Sequence, residues 1–481
     1  MAEVVVVQER RFRLTFTRSA WAELMGGLLR SPDEPRLGTA GINRDEWRTE
    51  LLVASAAAPV GLPARLRVVA AERAGELAER LRIAISAAGS EEPQAVLAVG
   101  IGRATGHLAG ALLDRGQVKP LGWVRLLAAG LPEVAVGGPP GVVVSRLPVT
   151  GAEREVWSRS IGALGEVGWR RLMSLHTIII GCGRSGSLAA TALARIGVRR
   201  LTLVDPDRLE THNMGEMDLV RAVQRGDFKV YAVAEELERL QENIAGESAS
   251  RLRVTPIAES VSSLRALEAV KRADLLIACV DDEAARLAAA VLAKLYLKPL
   301  LDIGTGVFEA PGNGRQIGAD IRLVMPDECL LCVGGLNDLA GARIRLATES
   351  GELRTADWQR QRAGSLRSLN MLAVGLGLRL VEELAAGRLG ESAWVRVEFD
   401  ARGLPQLEQR RITPQSACPL CHFAGWGDEG LQRAVSGLIG AARPLEGLLG
   451  NRDPLGKGAG ETQPLRTPDD RDVPSTSALL Q

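Results

Sequence analysis

HTIIIGCGRSGSLAATALARIGVRRLTLVDPD, residues His176 to Asp207, is the stretch on which the reading of this chain turns. Thr177-Ile178-Ile179-Ile180 is β-branched and apolar, the composition of a buried strand. It breaks into Gly181-x-Gly183-x-x-Gly186, continues into an Ala/Leu-rich helical segment, and returns as a second apolar strand, Leu201 to Val204, that ends on Asp205. Strand, glycine turn, helix, strand and acid stand in the order, and at about the twenty-residue offset, of a Rossmann βαβ unit. The glycines permit a tight turn and let a phosphate approach backbone N–H groups at a helix N-terminus, and the acid would accept ribose hydroxyls. A nucleotide is therefore expected at Gly181, Gly183, Gly186 and Asp205. The motif alone suits a dehydrogenase as well as an ATP-using enzyme, and a glycine turn without a ligand is the plainer alternative.

The 481 residues are enough for two or three domains with large cores. The chain is close to neutral, with 59 Lys and Arg against 58 Asp and Glu, so its charge points neither to nucleic acid nor to an anionic membrane surface. No N-terminal signal is evident, because Val4 to Val7 run directly into Glu9-Arg10-Arg11. The apolar stretches 284–301 and 369–386 are interrupted by charges and do not read as membrane spans. A soluble cytoplasmic protein is the expectation. Among the basic residues only six are lysines, at 119, 229, 271, 294, 298 and 457, so a lysine beside a motif stands out.

Cys182 and Cys279 are isolated in apolar surroundings, whereas Cys329-x-x-Cys332 and Cys418-x-x-Cys421 form two knuckles about 85 residues apart. Paired knuckles in a cytosolic chain favour a tetrahedral four-cysteine zinc site over disulfides, with redox pairs as the alternative.

Residues 1–150 read as an N-terminal α/β accessory domain. They include an alternating segment at Arg11 to Phe16, a helix at Ser19 to Leu29, a strand at Leu51 to Ala54, a helix at Glu72 to Ala88 and a strand at Ala95 to Gly100. The order of elements resembles the JAB/MPN metallopeptidase fold without the His-x-His and downstream Asp that hold its zinc, since only His107 is present. A scaffold or partner-binding role follows. The loop Gly137-Gly138-Pro139-Pro140-Gly141 is the boundary candidate.

From Val156 onward a more specific pattern emerges. Val156-Trp157-Ser158-Arg159 and the spaced glycines 162, 165 and 168 precede the first Rossmann strand. Asp205-Pro206-Asp207 is followed by Thr211-His212-Asn213-Met214, and Gly226-Asp227-Phe228-Lys229 heads the next helical segment. Leu275 to Val280 runs into Asp281-Asp282-Glu283-Ala284-Ala285-Arg286, and the knuckles follow. This order over residues 155–425 resembles the ThiF/MoeB/HesA superfamily, the ubiquitin-activating-enzyme-like adenylyltransferases.

That resemblance implies an α/β fold in which a Rossmann-like adenylation domain, with a mostly parallel sheet and a four-cysteine zinc site, spans 151–435. It implies a crossover segment over 333–417, and a disordered tail is expected over 440–481 from its Gly/Pro/Ser/Thr content. By the same resemblance ATP and Mg²⁺ are the cofactors, Asp281 coordinates Mg²⁺, Lys229 and Arg159 stabilise the transferred phosphoryl group, and Asn213 contacts phosphate or ribose. Arg159 would act across a homodimer interface. Asp281 could equally cap the helix that follows it, Lys229 could be a solvated lysine, and Asn213 an ordinary turn residue.

Two departures stand out. The superfamily's second arginine falls on Glu216, and no cysteine lies between Val333 and Ala417 to form a thioester or acyl disulfide. The implied activity is adenylation of the C-terminal carboxylate of a ubiquitin-like or sulfur-carrier protein without an internal catalytic cysteine. A peptide adenylyltransferase and a nucleotide-binding pseudo-enzyme scaffold are the alternatives, and an NAD-linked oxidoreductase would not call for the knuckles.

Overall fold

The computed structural model describes residues 12–45, 48–54, 62–88, 93–137, 149–245, 252–310, 314–336, 342, 366–400, 402–412 and 418–434. The expected tail at 440–481 and most of the charged stretch from Asp338 to Arg367 lie outside them, as does the boundary loop beyond Gly137.

An eight-stranded sheet forms the larger layer. From one edge its strands are Arg253–Ile257, Arg200–Val204, His176–Ile180, Leu275–Ala278, Leu300–Ala310, Gly314–Val324, Ala393–Phe399 and Pro405–Gln409. The first five run parallel and the last three are paired antiparallel. The central parallel strands are apolar on both faces, as expected where helices cover a sheet from both sides. Those helices include Arg184–Ile196, Lys229–Ala245, Leu264–Arg272, Glu283–Leu295 and Arg367–Ala386. Strand order reverses beside His176–Ile180, so the carboxyl end of that strand opens at a topological switch point, where α/β sheets bind ligands.

The tryptophans of the lead-in have a packing reason. Trp157 and Trp169 pack against each other and donate their indole N–H groups to the carbonyls of Arg195 and Ile196, at the end of the first Rossmann helix. They thereby satisfy acceptors that a helix terminus leaves open. Gly197, at φ +100°, ends that helix with its Cα against the Trp157 ring.

The N-terminal region forms two five-stranded sheets. One runs Glu133–Ala135, Trp123–Leu127, Phe12–Thr17, Thr49–Val53, Gly41–Arg44, and the other Arg36–Thr39, Ala64–Ala71, Gln94–Gly100, Leu108–Asp114, Gln117–Pro120. Helix Arg18–Arg30 is one residue longer at each end than read from the sequence. The helix expected over Glu72–Ala88 is a 3₁₀ turn, Ala74–Glu76, followed by Leu77–Ser86.

This region docks on the large sheet through buried charge. Glu50 accepts from Arg13 at 2.8 Å, Thr15 at 2.5 Å and Asn43 at 2.9 Å, and Asn43 also donates to the carbonyl of Lys271. Arg125 bonds Asp274 at 2.7 Å, and the same carboxylate accepts the backbone N–H of His176, the first residue of the central strand. Against the cost of burial, Arg125 and Arg200 hold Asp274 well below the usual carboxylate range. Lys298 lies inside this cluster, donating to the Lys271 carbonyl at 3.2 Å. Burial first, then Arg48, Arg13 and Arg125, push its ammonium down to about 7, with Glu50 opposing.

A lysine with a lowered folded-state pKa makes the unfolded chain the more protonated one between pH 7 and its ordinary 10.5, so this group makes stability rise with pH in that window. Urea unfolding of wild type and Lys298→Met at pH 7, 8.5 and 10 should show the difference moving in favour of wild type by on the order of 1–3 kcal/mol. Parallel curves would mean that Lys298 titrates as an ordinary lysine.

Candidate functional site

The glycine turn follows the central strand, and each glycine has its own reason. Gly181 sits at φ +87°, and a Cβ there would lie 2.6 Å from the Cys279 carbonyl. A Cβ on Gly186 would run into the Gly181 carbonyl, so the helix can start this close to the strand only without a side chain. Gly183 precedes the helix Arg184–Ile196, and a Cβ there would meet nothing within 4 Å. Its surroundings are open, as backbone approach by a phosphate requires.

Asp205 is buried, 6% exposed, and joins two pieces of backbone. One carboxylate oxygen accepts the N–H of Cys182 at 2.7 Å and the other the N–H of Asp207 at 2.8 Å. Burial raises its pKa, against the pull of Lys229. The acid that the fingerprint offers to a ribose is thus committed to holding the turn in register with the next strand. The outward-facing acid is Asp207, whose side chain is 52% exposed and pairs with Lys229 at 2.9 Å. Asp207 was not among the expected site residues, and the Asp-x-Asp spacing could not reveal its outward turn, since residues two apart on a strand share a face; the strand ends at Val204, and beyond it the two carboxylates part.

Lys229 begins its helix, with its backbone N–H on the carbonyl of Asp207. Burial works against its charge, but Asp205, Asp207 and then Asp281 hold its pKa above the ordinary value, so it stays an ammonium. Phe228, before it, receives the Arg208 guanidinium 3.8 Å from its ring centre. Asp281 is exposed just beyond strand Leu275–Ala278. The helix cap is its neighbour Asp282, which accepts from Ala285 N–H at 2.9 Å, so capping does not account for Asp281. Asn213 is buried, with its side-chain oxygen accepting the N–H of Glu210 inside a short 3₁₀ turn. Glu216 pairs with Arg184, the residue after Gly183. Arg286 is tied to the Val280 carbonyl and to fully buried Asp302. Arg159 is exposed on helix Ser158–Ser174 and makes no ion pair among the described residues.

The two knuckles converge. The sulfurs of Cys329, Cys332, Cys418 and Cys421 lie within 4.8 Å of one another, with separations of 3.4 Å for 329–418, 3.6 Å for 329–332 and 3.7 Å for 332–421. Four thiolates around a zinc at about 2.3 Å stand about 3.8 Å apart, so the donors fit a tetrahedral ion. Such a centre carries a net negative charge. Buried Lys294 lies beside it, donating to the carbonyls of Pro326 at 2.6 Å and Glu328 at 3.0 Å. The remaining thiols are protonated: burial, with Asp205 adding, holds Cys182 far above its ordinary range, and burial pushes Cys279 up to about 12.

The second knuckle leads straight into the N-terminal region. Gly427 bridges Ile42, Asp428 accepts from the Arg44 N–H at 2.8 Å and from Tyr296 at 2.9 Å, and Glu429 takes a forked bond from Arg65 at 2.5 and 2.6 Å.

A parallel sheet with an open glycine turn at its switch point, rimmed by carboxylates and one lysine, is the frame of a nucleotide-binding α/β domain. Residues 157–340 match the model of the ThiF family, and this part of the chain is a ThiF-family domain. Among curated relatives, the adenylyltransferase and sulfurtransferase MOCS3 of Bos taurus is 29% identical over 171 residues, 36% of this chain and 35% of that protein. The ubiquitin-like modifier-activating enzyme 5 of Dictyostelium discoideum is 28% identical over 190 residues, 38% of this chain and 48% of that protein. The chain thus spans between a third and a half of the length of these relatives. A structure of E. coli MccB with ATP aligns at 17% identity and a TM-score of 0.42, covering 57% of this chain and 76% of that one. No helix among the described residues is long and apolar enough to cross a membrane.

Gly186 and Gly183 separate in mutagenesis. Gly186→Ala should destabilise the domain by about 2–4 kcal/mol in urea unfolding, because backbone must move. Gly183→Ala should stay within about 1 kcal/mol of wild type and lose nucleotide binding. Stripping the cysteine cluster with a chelator, or Cys418→Ser, should release zinc by mass spectrometry and raise hydrogen exchange in 418–434 and Gly41–Arg44, while the central strand His176–Ile180 stays protected.

Proposed function

We propose that the domain binds ATP at the glycine turn and adenylates the C-terminal carboxylate of a ubiquitin-like or sulfur-carrier protein. The reading rests on one observation above others: in a ThiF-family domain, Asp205 ties the glycine turn to the backbone of Asp207, whose carboxylate pairs with Lys229. In the reaction a carboxylate oxygen attacks the α-phosphorus, the α–β phosphoanhydride bond breaks, and pyrophosphate leaves. The protein's contribution is positioning and charge placement.

The backbone around Gly183 and the following helical N–H groups receive phosphate, and Asp207, with Asp205 behind it, meets the ribose. Lys229 keeps its proton and faces the developing negative charge. Asp281 is the exposed carboxylate to which Mg²⁺ would bind, and that ion would neutralise charge on the departing pyrophosphate. Asn213 braces the loop that carries Glu216, and Arg159, exposed on its helix, is the residue a second copy of the chain would offer in a homodimer. A zinc held by the four cysteines would be structural, since they would supply all four ligands.

No thiol in the described residues is poised as an acyl acceptor: Cys182 is buried and Cys279 half-buried, both protonated, and four form the cluster. The adenylate therefore passes to a nucleophile outside this chain. A peptide carboxylate is an equally accessible acceptor. A nucleotide-binding scaffold without turnover is favoured by one feature, Glu216 in place of an arginine.

ATP–pyrophosphate exchange with Mg²⁺, against a panel of ubiquitin-like proteins ending in free diglycine, tests the reading. Exchange should depend on the carrier and fall by about 100-fold or more in Asp281→Ala and in Lys229→Ala. Carrier binding without exchange would establish the scaffold.

A further inference from the structure

The ammonium of Lys229 pairs with Asp207 at 2.9 Å and feels the charges of Asp205 and Asp281. Arg286 is held inward by Asp302 and the Val280 carbonyl. Next to Gly183 in sequence stands Arg184, half-buried on the first turn of the helix. Its guanidinium is held by Glu216 through Nε and Nη2.

Glu216 is itself fixed by its surroundings. The Asp218 N–H donates to the Ser187 hydroxyl at 3.0 Å, and Arg367, at the start of helix Arg367–Ala386, bonds the Glu216 carbonyl at 3.2 Å and pairs with the Asp218 carboxylate. The loop 216–218 is clamped between the helix that starts at the turn and the helix that closes the crossover segment. A long side chain held in that way loses little further freedom when it meets a ligand.

We propose that Arg184 is the guanidinium that contacts the phosphates of the nucleotide, and that Glu216 is its positioning residue. The pair moves the cation from the loop to the turn: position 216 carries the acid and position 184 the base. This rests on the nucleotide reading above and adds to it the residue that discriminates ATP from nucleosides.

The test is calorimetric titration of the full chain, zinc-loaded and with Mg²⁺, using ATP, AMP and adenosine. Arg184→Ala should weaken ATP by about 10- to 100-fold, AMP less, and adenosine by no more than about two-fold. Arg184→Lys, which keeps the charge and loses the fork, should fall between. Glu216→Gln should weaken ATP several-fold without touching adenosine. The exchanged pair, Arg184→Gly with Glu216→Arg, should recover most of the ATP affinity. ATP binding unchanged or tighter in Arg184→Ala would overturn the proposal and make the ion pair a plug over the phosphate position. Equal losses for ATP and adenosine would also overturn it, by showing that Arg184 only supports the fold. If wild type binds adenosine and no ATP, or neither, the nucleotide reading fails along with the proposal, an outcome distinct from a failure confined to the variants.

Discussion

The Asp205 carboxylate is the contact on which the candidate site depends. It accepts one N–H from the glycine turn and one from the residue that leads out of the next strand, so the ends of two parallel strands share a single anion. Buried carboxylates are costly unless their oxygens are paired, and here both receive donors while Lys229 lies close by. Because Asp205 holds the backbone of Asp207, the exposed carboxylate two residues on has a fixed place, and because the Asp207 carbonyl accepts the first N–H of the Lys229 helix, so does the lysine. The outward pair is arranged by the inward acid.

A similar economy joins the N-terminal region to the large sheet. Arg125 reaches Asp274, whose carboxylate also holds the first N–H of the central strand, so the dock and the strand start share a residue. On the other side, the chain leaving the second knuckle passes between the two regions, with Gly427 too close to the Ile42 backbone for a side chain. The four cysteines therefore do more than close a loop. They fix the start of the segment through which Asp428 and Glu429 engage Arg44, Lys271 and Arg65. Buried ion pairs are weak sources of net stability but are costly to break singly, which makes this interface specific more than strong.

Much of this was legible beforehand because it rests on local rules. The β-branched run, the spaced glycines and the Ala/Leu-rich helix could be read from residues 176–207, and the knuckles from their Cys-x-x-Cys spacing, since chain geometry at that range leaves few alternatives. What could not be read depends on which way a side chain turns. Asp205 and Asp207 look equivalent in sequence, yet one is buried between backbone amides and the other faces solvent. Asp281 and Asp282 are likewise adjacent, and only the helix start shows that 282 caps and 281 does not. The buried lysines 271, 294 and 298 were conspicuous by rarity alone. Their partners are backbone carbonyls and acids far along the chain, which no spacing reveals.

Position 216 carries the same lesson into chemistry. Read against a motif, an acid where an arginine is expected is a lost contact. In three dimensions it is one half of an ion pair whose other half sits on the glycine turn; the pair is neutral as a whole, one unit less positive than an arginine at 216 beside a neutral residue at 184, but its guanidinium stands on the turn. An electrostatic requirement is met by charge at a place and not by a residue at a number, because the field at a bound anion depends on distance and burial. The same reasoning applies to the thiols. With Cys182 buried and Cys279 half-buried, both protonated, and four converging on one point, the described residues offer no thiolate beside the turn. On the proposed reading, an acyl adenylate formed there would meet no thiolate of the described residues, and the acyl group would go to a nucleophile on another molecule.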